Sequence, residues 1–263
     1  MVAGGKQVKK ILFIVGPTAS GKSALGMRVA QAMNGEIICG DSRTIYRGMD
    51  IGTAKPTKAD QALVAHHLLD IVDPDEKFSV ADFKHVAEVA IDDIRSRGKL
   101  PIVVGGSGLY IDSILFDYQF STSDQERDPV NQRHLRNTDD SDRRTMREDA
   151  IVVGLNPDRD VLLQKIRDRA QTMIDDGIVE EVRTLLEKYD PESEAMKGII
   201  YRIFGDVVHG AKTLEQAKEE FIQGDTRLVK KQLTWFKRNP NIRWFTESAE
   251  AFRYIQEQIN HVE

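Results

Sequence analysis

The chain has 263 residues, a formal net charge of −5 at pH 7, and 40% hydrophobic and 30% charged residues. This composition is typical of a soluble globular protein and excludes a disordered one. The apolar runs are too short to cross a membrane, and no signal peptide is expected at the N-terminus. The single cysteine, Cys39, excludes an internal disulfide and a cysteine-based zinc cluster, so a reducing, cytoplasmic setting fits best.

Short apolar runs alternate with amphipathic segments along most of the chain. A strand buried on both faces is predicted at 11–15, and a helix follows at 23–33, where apolar residues recur every four positions. Capping boxes at Ser79 and Thr213 open two later helices. Further strands are predicted at 36–39, 101–104, 150–154 and 242–245. Further helices are predicted at 79–98, 159–175, 178–189, 213–221, 225–236 and 249–259.

The alternation of strands and helices predicts an α/β fold, with a parallel sheet flanked by helices as in P-loop NTPases. The pattern breaks at 117–149, which is polar and dense in Asp and Arg. We interpret this stretch as a small, mostly helical insertion. The α/β core is therefore assigned to 1–116 and 150–263.

A glycine-rich stretch that satisfies G-x-x-x-x-G-K-[ST] follows the first strand and precedes the first helix. In this context backbone N–H groups converge on phosphate oxygens at the helix N-terminus. Lys22 adds a point charge, and Ser23 can ligate Mg²⁺ through its hydroxyl group. The motif predicts a phosphate or diphosphate site without specifying ATP. The residues of this phosphate loop are Gly16, Pro17, Thr18, Ala19, Ser20, Gly21, Lys22 and Ser23.

The second strand delivers Asp41 to the carboxyl edge of the predicted sheet, where ligands bind in open α/β folds. At this position a carboxylate can hold a metal-bound water, act as a general base, or cap a helix. The sequence alone leaves these three interpretations open.

A basic stripe interrupts the overall acidic character near the C-terminus. Six basic residues and one acid lie between Asp225 and Arg243. Such a stripe can hold a polyanion, although a solvated helix face explains it equally well.

Several blocks of the sequence, in order along nearly the whole chain, resemble the tRNA dimethylallyltransferase (isopentenyltransferase) family. The helical insertion is shorter here than is usual in that family. The blocks are GPTASGKS (16–23), DSRTIYRGMDIGTAKP (41–56), HHLLDIVDPDEKFSVADF (66–83), VGGSGLY (104–110) and RLVKKQLTWF (227–236).

The resemblance implies that the phosphate loop and Mg²⁺ hold the diphosphate of dimethylallyl diphosphate. The exocyclic amine of the adenosine beside the tRNA anticodon then attacks the allylic carbon, and diphosphate leaves. Asp41 is expected to accept the proton of that amine. Ser107 is expected to lie between the two substrates, and Arg202 to contact the diphosphate.

The resemblance also implies contacts with the anticodon stem-loop of tRNA, by a monomer without a membrane partner. The residues expected to make these contacts are Asp41, Ser42, Arg43, Thr44, Asn131, Gln132, Arg133, Arg136, Lys230 and Lys231. Three alternatives remain at this point: an isopentenyltransferase acting on free adenine nucleotides, a small-molecule P-loop kinase, and a binding protein without catalysis.

The remaining histidine, aromatic and cysteine residues that the sequence singles out are interpreted as structural. His66 and His67 point to opposite faces of an extended segment, so they are interpreted as hydrogen-bonding residues and not as metal ligands. At least one of Trp235 and Phe236 is predicted to pack in the core. Cys39 is predicted to be a buried, small apolar residue.

Overall fold

The computed structural model describes residues 10–120 and 145–260, which build one sheet with helices on both faces. The described strands are all parallel, and their order across the sheet is β3-β2-β4-β1-β5-β6. The strands are β1 (Ile11–Val15), β2 (Gly35–Cys39), β3 (His66–His67), β4 (Leu100–Gly105), β5 (Ala150–Leu155) and β6 (Arg243–Phe245).

Helices connect these strands and also form a separate layer. The described part of the chain contains α1 (Lys22–Ala32), α2 (Lys58–Leu63), α3 (Val80–Ser96), α4 (Gly108–Leu115), α5 (Arg159–Asp175), α6 (Ile178–Lys188), α7 (Ile199–Val208), α8 (Leu214–Phe236) and α9 (Ser248–Asn260). The capping boxes predicted at Ser79 and Thr213 are both formed.

The central strand β1 is completely buried, and its side chains alternate between two apolar layers. Its odd-numbered residues pack with α3 and α4, and its even-numbered residues pack with α1 and α9. A third apolar cluster joins α6, α7 and α8 to Ile45 and Tyr46, in the segment after β2. This helical layer therefore packs against the chain that leaves the carboxyl end of β2.

The predicted parallel sheet with flanking helices is confirmed, and the predicted strands and helices match within a few residues. The separation of two helices at 213–221 and 225–236 was wrong, because α8 is continuous. Gly224 lies inside that helix, where a Cβ would meet Ile199 Cδ1 at 2.6 Å. The glycine thus permits close packing of α8 on α7. The sequence analysis also missed α2, β3, α4 and α7.

The end of the predicted insertion lies beside the helix that precedes it. The backbone N–H of Arg147 donates to the carbonyl oxygen of Leu115 at 3.0 Å, and β5 begins three residues later. The helical content predicted for the insertion falls mostly on residues outside the described ranges and stays a prediction. No described helix has both the length and the apolar character needed to cross a membrane.

Candidate active site

The loops that follow β1, β4 and β2 meet at the carboxyl edge of the sheet, because these strands are adjacent and parallel. They carry the phosphate loop, Gly106 with Ser107, and Asp41 with Ser42, respectively. Together with α5, α7 and α8 they line a cavity of about 1100 Å³. The topology thus brings together three segments that the sequence analysis singled out separately.

The phosphate loop adopts a conformation that requires glycine at its first position. The φ angle of Gly16 is 148°, and a Cβ there would lie 2.5 Å from the carbonyl oxygen of Leu155. Lys22 Nζ donates to the carbonyl oxygen of Pro17 at 3.1 Å, which folds the ammonium group back over the loop. The loop therefore presents the N-terminus of α1 and one ammonium group to the cavity.

Helix α5 brings two more cations to this loop. Arg169 Nη1 donates to Thr18 Oγ1 and lies 3.4 Å from Asp225 Oδ2. Lys165, one turn earlier on α5, also lines the cavity. Arg169 Nε and Ser20 Oγ are buried and have no hydrogen-bond partner among the described residues. Buried donors without acceptors, beside a glycine-rich loop, are suited to an anion that comes from outside the chain.

The electrostatics of this end of the cavity also favour an anion. Burial lowers the pKa of Lys22 to about 8; Asp41 and Asp225 act against this effect, and Arg169 adds to it. Burial raises the pKa of Asp225, although Arg169 and Lys22 favour its charged form. An anion bound here would favour the ammonium form of Lys22.

Asp41 lies at the end of β2 in a turn. Its Oδ1 accepts the backbone N–H of Arg43 at 2.9 Å. Ser107 Oγ accepts the backbone N–H of Ser42 at 3.0 Å and lies 3.2 Å from Ser42 Oγ. The helix-cap interpretation of Asp41 was wrong, because the next helix, α2, begins only at Lys58. The general-base and metal-water interpretations remain.

Gln232 and Trp235 on helix α8 make hydrogen bonds at the cavity. Gln232 Oε1 accepts the backbone N–H of Thr18 at 2.8 Å, and its Nε2 donates to the carbonyl oxygen of Gly106 at 3.0 Å. Trp235 Nε1 donates to Asp112 Oδ2 at 2.7 Å. Burial raises the pKa of Asp112 to about 7, against the opposing effects of the Trp235 hydrogen bond and the Arg238 charge.

The cavity wall that follows Asp41 in sequence is held by α6. Glu181 accepts the backbone N–H groups of Asp50, Ile51 and Gly52 at 2.7–3.0 Å. It also accepts the hydroxyl group of Tyr201, at 3.1 Å. Gly52 and Tyr201 both line the cavity, so this carboxylate fixes part of its wall.

The structure does not bring every candidate residue into the cavity. Arg202 is exposed on α7 and does not line the cavity, so the expectation that it contacts the diphosphate is corrected. The neighbouring residues Ile199, Ile200 and Tyr201 line the cavity instead. Lys231 lines the cavity, whereas Lys230 is exposed outside it. Asn131, Gln132, Arg133 and Arg136 lie outside the described residues.

Arg43 and Thr44 line the cavity, and the side chains of both donate hydrogen bonds to backbone carbonyl groups of this chain. Arg43 Nη1 donates to the carbonyl oxygen of Glu194 at 2.7 Å, ahead of α7. Thr44 is buried, and its hydroxyl group donates to the carbonyl oxygen of Asp41 at 3.3 Å. The side chains of both residues therefore brace the turn around Asp41.

The structural roles predicted for the histidine, aromatic and cysteine residues are confirmed. His66 Nδ1 lies 2.8 Å from the carbonyl oxygen of Val64, and His67 Nε2 lies 2.7 Å from Glu36 Oε2. Phe236 and Cys39 are buried. The described residues contain no group of three or more metal-binding side chains.

Sequence reasoning missed Lys165, Arg169, Asp225 and Gln232 as residues of the site. The partners Arg169 and Thr18 are 151 positions apart, and Gln232 and Thr18 are 214 positions apart. The spacing of Lys165 and Arg169, four residues apart on one helix face, is the signal that could have found those two.

The family model described as IPP transferase matches residues 44–145 and 128–239. The chain belongs to the IPP transferase family. The tRNA dimethylallyltransferase of Macrococcus caseolyticus (strain JCSC5402) is 38% identical over 294 residues, covering 95% of this chain and 94% of that protein. The resemblance noted from the sequence motifs is thereby confirmed.

Other members of the family agree with this assignment over nearly their whole length. The tRNA dimethylallyltransferase of Streptococcus pyogenes serotype M5 (strain Manfredo) is 40% identical, with 94% of each chain covered. The crystal structure of the full-length tRNA isopentenylpyrophosphate transferase from Bacillus halodurans has a TM-score of 0.81 to this structure. It is 31% identical in sequence, and the match covers 96% of this chain and 97% of that one.

Proposed function

We propose that this protein transfers the dimethylallyl group of dimethylallyl diphosphate to the exocyclic amine of the adenosine adjacent to the anticodon in tRNA. The nitrogen–carbon bond forms at the allylic carbon, and the carbon–oxygen bond to diphosphate breaks. The amine proton passes to a protein carboxylate, and diphosphate leaves with the electron pair.

The observation that carries this proposal is the pairing of an anion site with a carboxylate in one cavity. Lys22, Lys165 and Arg169 supply positive charge at the phosphate loop. Asp41 follows β2, whose carboxyl end lies at the same edge of the sheet, with β4 between β2 and β1. A diphosphate leaving group needs charge stabilisation, and a weakly nucleophilic aromatic amine needs a proton acceptor.

Asp41 and Ser107 are the residues we place between the two substrates. One carboxylate oxygen of Asp41 accepts the N–H of Arg43, which fixes the orientation of the group. The remaining oxygen can take the proton of the attacking amine. The hydroxyl group of Ser107, which also holds Ser42, has the capacity to hydrogen-bond a substrate atom at the same edge.

Mg²⁺ fits this site as an ion that arrives with the diphosphate. The cation typically uses one or two protein oxygens together with substrate phosphate oxygens and water. Ser23, in the first turn of α1, would supply the hydroxyl oxygen. When bound, Mg²⁺ would neutralise charge on the diphosphate.

The family supports tRNA as the acceptor over a free adenine nucleotide, since the Macrococcus and Streptococcus relatives are named tRNA dimethylallyltransferase. Arg227 and Lys231 line the cavity on α8 and are placed to attract a polyanion. We propose that Ser42 and Thr44 contact the target nucleotide through the turn after β2. Contacts of Arg43, Lys230 and residues 131–136 with the anticodon stem-loop stay predictions, as do a monomeric state and a cytoplasmic location.

The experiment that tests this proposal follows the label of dimethylallyl diphosphate labelled in its dimethylallyl group. The full chain is incubated with Mg²⁺ and, in separate reactions, unmodified tRNA, AMP or ATP. We expect label in tRNA, and its loss when the adenosine beside the anticodon is replaced by guanosine. Transfer to AMP or ATP instead would favour the nucleotide-modifying alternative, and an absence of transfer to all three would contradict the proposal.

A further inference from the structure

Gln232 connects two loops of the site through the two ends of one side-chain amide. Its Oε1 accepts from Thr18 N–H at 2.8 Å, within the phosphate loop. Its Nε2 donates to the carbonyl oxygen of Gly106 at 3.0 Å, in the loop after β4. Each end of the amide matches the hydrogen-bonding role of its partner, so only one orientation of the side chain satisfies both loops.

The packing around Gly106 shows how closely these loops are joined. A Cβ at Gly106 would lie 2.5 Å from Gln232 Nε2 and 3.3 Å from the carbonyl oxygen of Gly16. The Gly106 backbone is thus enclosed between Gln232 and the phosphate loop. One turn later on α8, Trp235 packs over Gly108, where a Cβ would lie 2.3 Å from the indole ring. The helix carrying Gln232 is therefore seated on the same loop by two side chains.

A continuous set of hydrogen bonds runs across the three sheet-edge loops. Thr18 and Gly106 are joined by Gln232, and Ser107, the next residue, accepts from Ser42 N–H at 3.0 Å. We infer that Gln232 is a positioning residue that holds the phosphate loop in register with the Gly106–Ser107 turn. This inference rests on the proposed function, in which these loops hold the leaving diphosphate and the acceptor adenine, respectively.

The consequence for transfer follows from the geometry that the reaction needs. The breaking bond to diphosphate and the forming bond to the amine share one carbon atom, so both groups must stay aligned. Misplacement of reacting groups by about 1 Å can cost about 10²-fold in rate. Loss of the Gln232 amide should therefore lower kcat even when both substrates are saturating, and it should weaken diphosphate binding through Thr18.

The test replaces Gln232 by Met, which has a similar length and volume and lacks the amide. The matched control is Gln223→Met on the same helix, because Gln223 is exposed and contacts only Glu219, at 3.3 Å, among the hydrogen bonds described for it. Three quantities are measured: kcat at saturating tRNA and dimethylallyl diphosphate, the Kd of inorganic diphosphate, and the thermal unfolding midpoint.

For Gln232→Met we expect kcat to fall by about 10²-fold and the Kd of inorganic diphosphate to rise several-fold, with both unchanged in Gln223→Met. If Gln232 only stabilises the fold, Gln232→Met will lower the unfolding midpoint. Its kcat, measured below that midpoint, will then equal that of the control. That result, or equal kcat and Kd in the two variants, would overturn the inference.

A second substitution, at Gly106, tests the same contact between Gly106 and Gln232. In Gly106→Ala the new methyl group displaces Gln232, so the variant should lose activity in the wild-type background. In a Gln232→Ala background the space is open, and the same substitution should cost far less. Additive effects of the two substitutions would contradict direct contact as the cause.

Failure of the inference can be told apart from failure of the proposed function. Binding of inorganic diphosphate is measured without any transfer reaction, so it reports on Gln232 even if the wild-type chain does not modify tRNA. If the wild type transfers label to tRNA and Gln232→Met does so equally well, the function stands and the positioning role is lost.

Discussion

Lys22 and Asp41 place opposite charges at one edge of the sheet, after strands β1 and β2, which are separated by β4. The environment of each side chain decides what it can do. Lys22 is folded against the phosphate loop, with Arg169 and Asp225 as further charged neighbours. Asp41 is held by Arg43 N–H in a turn that no helix follows directly. Lys22 is therefore suited to stabilise the negative charge of a leaving group, and Asp41 is suited to accept a proton.

The charge of Lys22 should make diphosphate binding depend on pH. Burial lowers its pKa to about 8, so the free protein loses this ammonium group as pH rises through that value. The Kd of inorganic diphosphate should therefore increase between pH 7 and 9. Lys22→Arg stays charged over this pH range and should remove this part of the pH dependence. Any pH dependence that remains in Lys22→Arg then belongs to titration of the diphosphate itself. Lys22→Ala should lower turnover by about 10²–10³-fold.

Two outcomes would count against this role of Lys22. Identical pH profiles for diphosphate binding in the wild type and Lys22→Arg would show that the lysine does not titrate in this range. Near-normal turnover of Lys22→Ala would make the phosphate loop a purely structural feature.

At the level of secondary structure, the strands and the phosphate loop could be predicted because their signals are local. The buried run of β1 and the G-x-x-x-x-G-K-[ST] pattern each lie within a few consecutive residues. Helix α4 was missed because it has only eight residues and begins directly after a glycine-rich loop. Helix α8 was divided because Gly224 lowers local helix propensity, and the compensating contact with Ile199 is tertiary.

Site residues, like helices and strands, could be predicted only where their signal is local in the sequence. Asp41 and Ser107 could be found because they follow apolar strands and belong to recognisable blocks. Gln232 could not be found, because α8 reaches the phosphate loop only after the helical layer has packed over the sheet edge. The spacing of Lys165 and Arg169 indicates a shared helix face, but it does not show that this face contacts the phosphate loop. Arg202 was misplaced because a motif in sequence does not specify which face of α7 turns toward the cavity.

Helix α8 provides a test of nucleic-acid binding at the scale of one element. Arg227 and Lys231 are exposed at the cavity, so we expect both to contact phosphates of tRNA. Replacing each by Ala should weaken tRNA binding and reduce the slope of log K against log salt by about 0.7–0.9 per residue. Arg253→Ala on α9 is the control and should leave the slope unchanged. An unaltered slope in both α8 variants would assign these side chains to solvated surface.

The site depends on the whole molecule because its loops begin on strands that are anchored at the opposite edge of the sheet. Glu36, near the start of β2, is buried and accepts hydrogen bonds from Arg97, Lys99 and His67. The bonds from Arg97, more than any other contact, hold the pKa of Glu36 well below its usual range. This cluster ties β2 to β3 and to the end of α3.

Stability should therefore decline in acid as Glu36 is protonated. A carboxyl group whose pKa is lowered in the folded state stabilises the fold above its unfolded value of 4.5, and this stabilisation is lost as pH falls below it. Glu36→Gln should lower the free energy of unfolding by about 1–3 kcal/mol at pH 7 and by less at pH 3.5. Urea unfolding at both pH values measures this, with Asp93→Asn, an exposed partner of Arg97, as control. An equal loss at both values would contradict the linkage.

The proposed reaction requires one sheet edge both to hold the leaving diphosphate and to supply the base, Asp41. The most direct measurement is the single-turnover rate of transfer to tRNA by Asp41→Asn, across a magnesium titration. We expect the rate to fall by about 10²-fold or more, with little change in the binding of either substrate and no rescue by Mg²⁺. A normal rate at saturating substrates, or recovery of the rate with excess Mg²⁺, would contradict the assignment of Asp41 as the base.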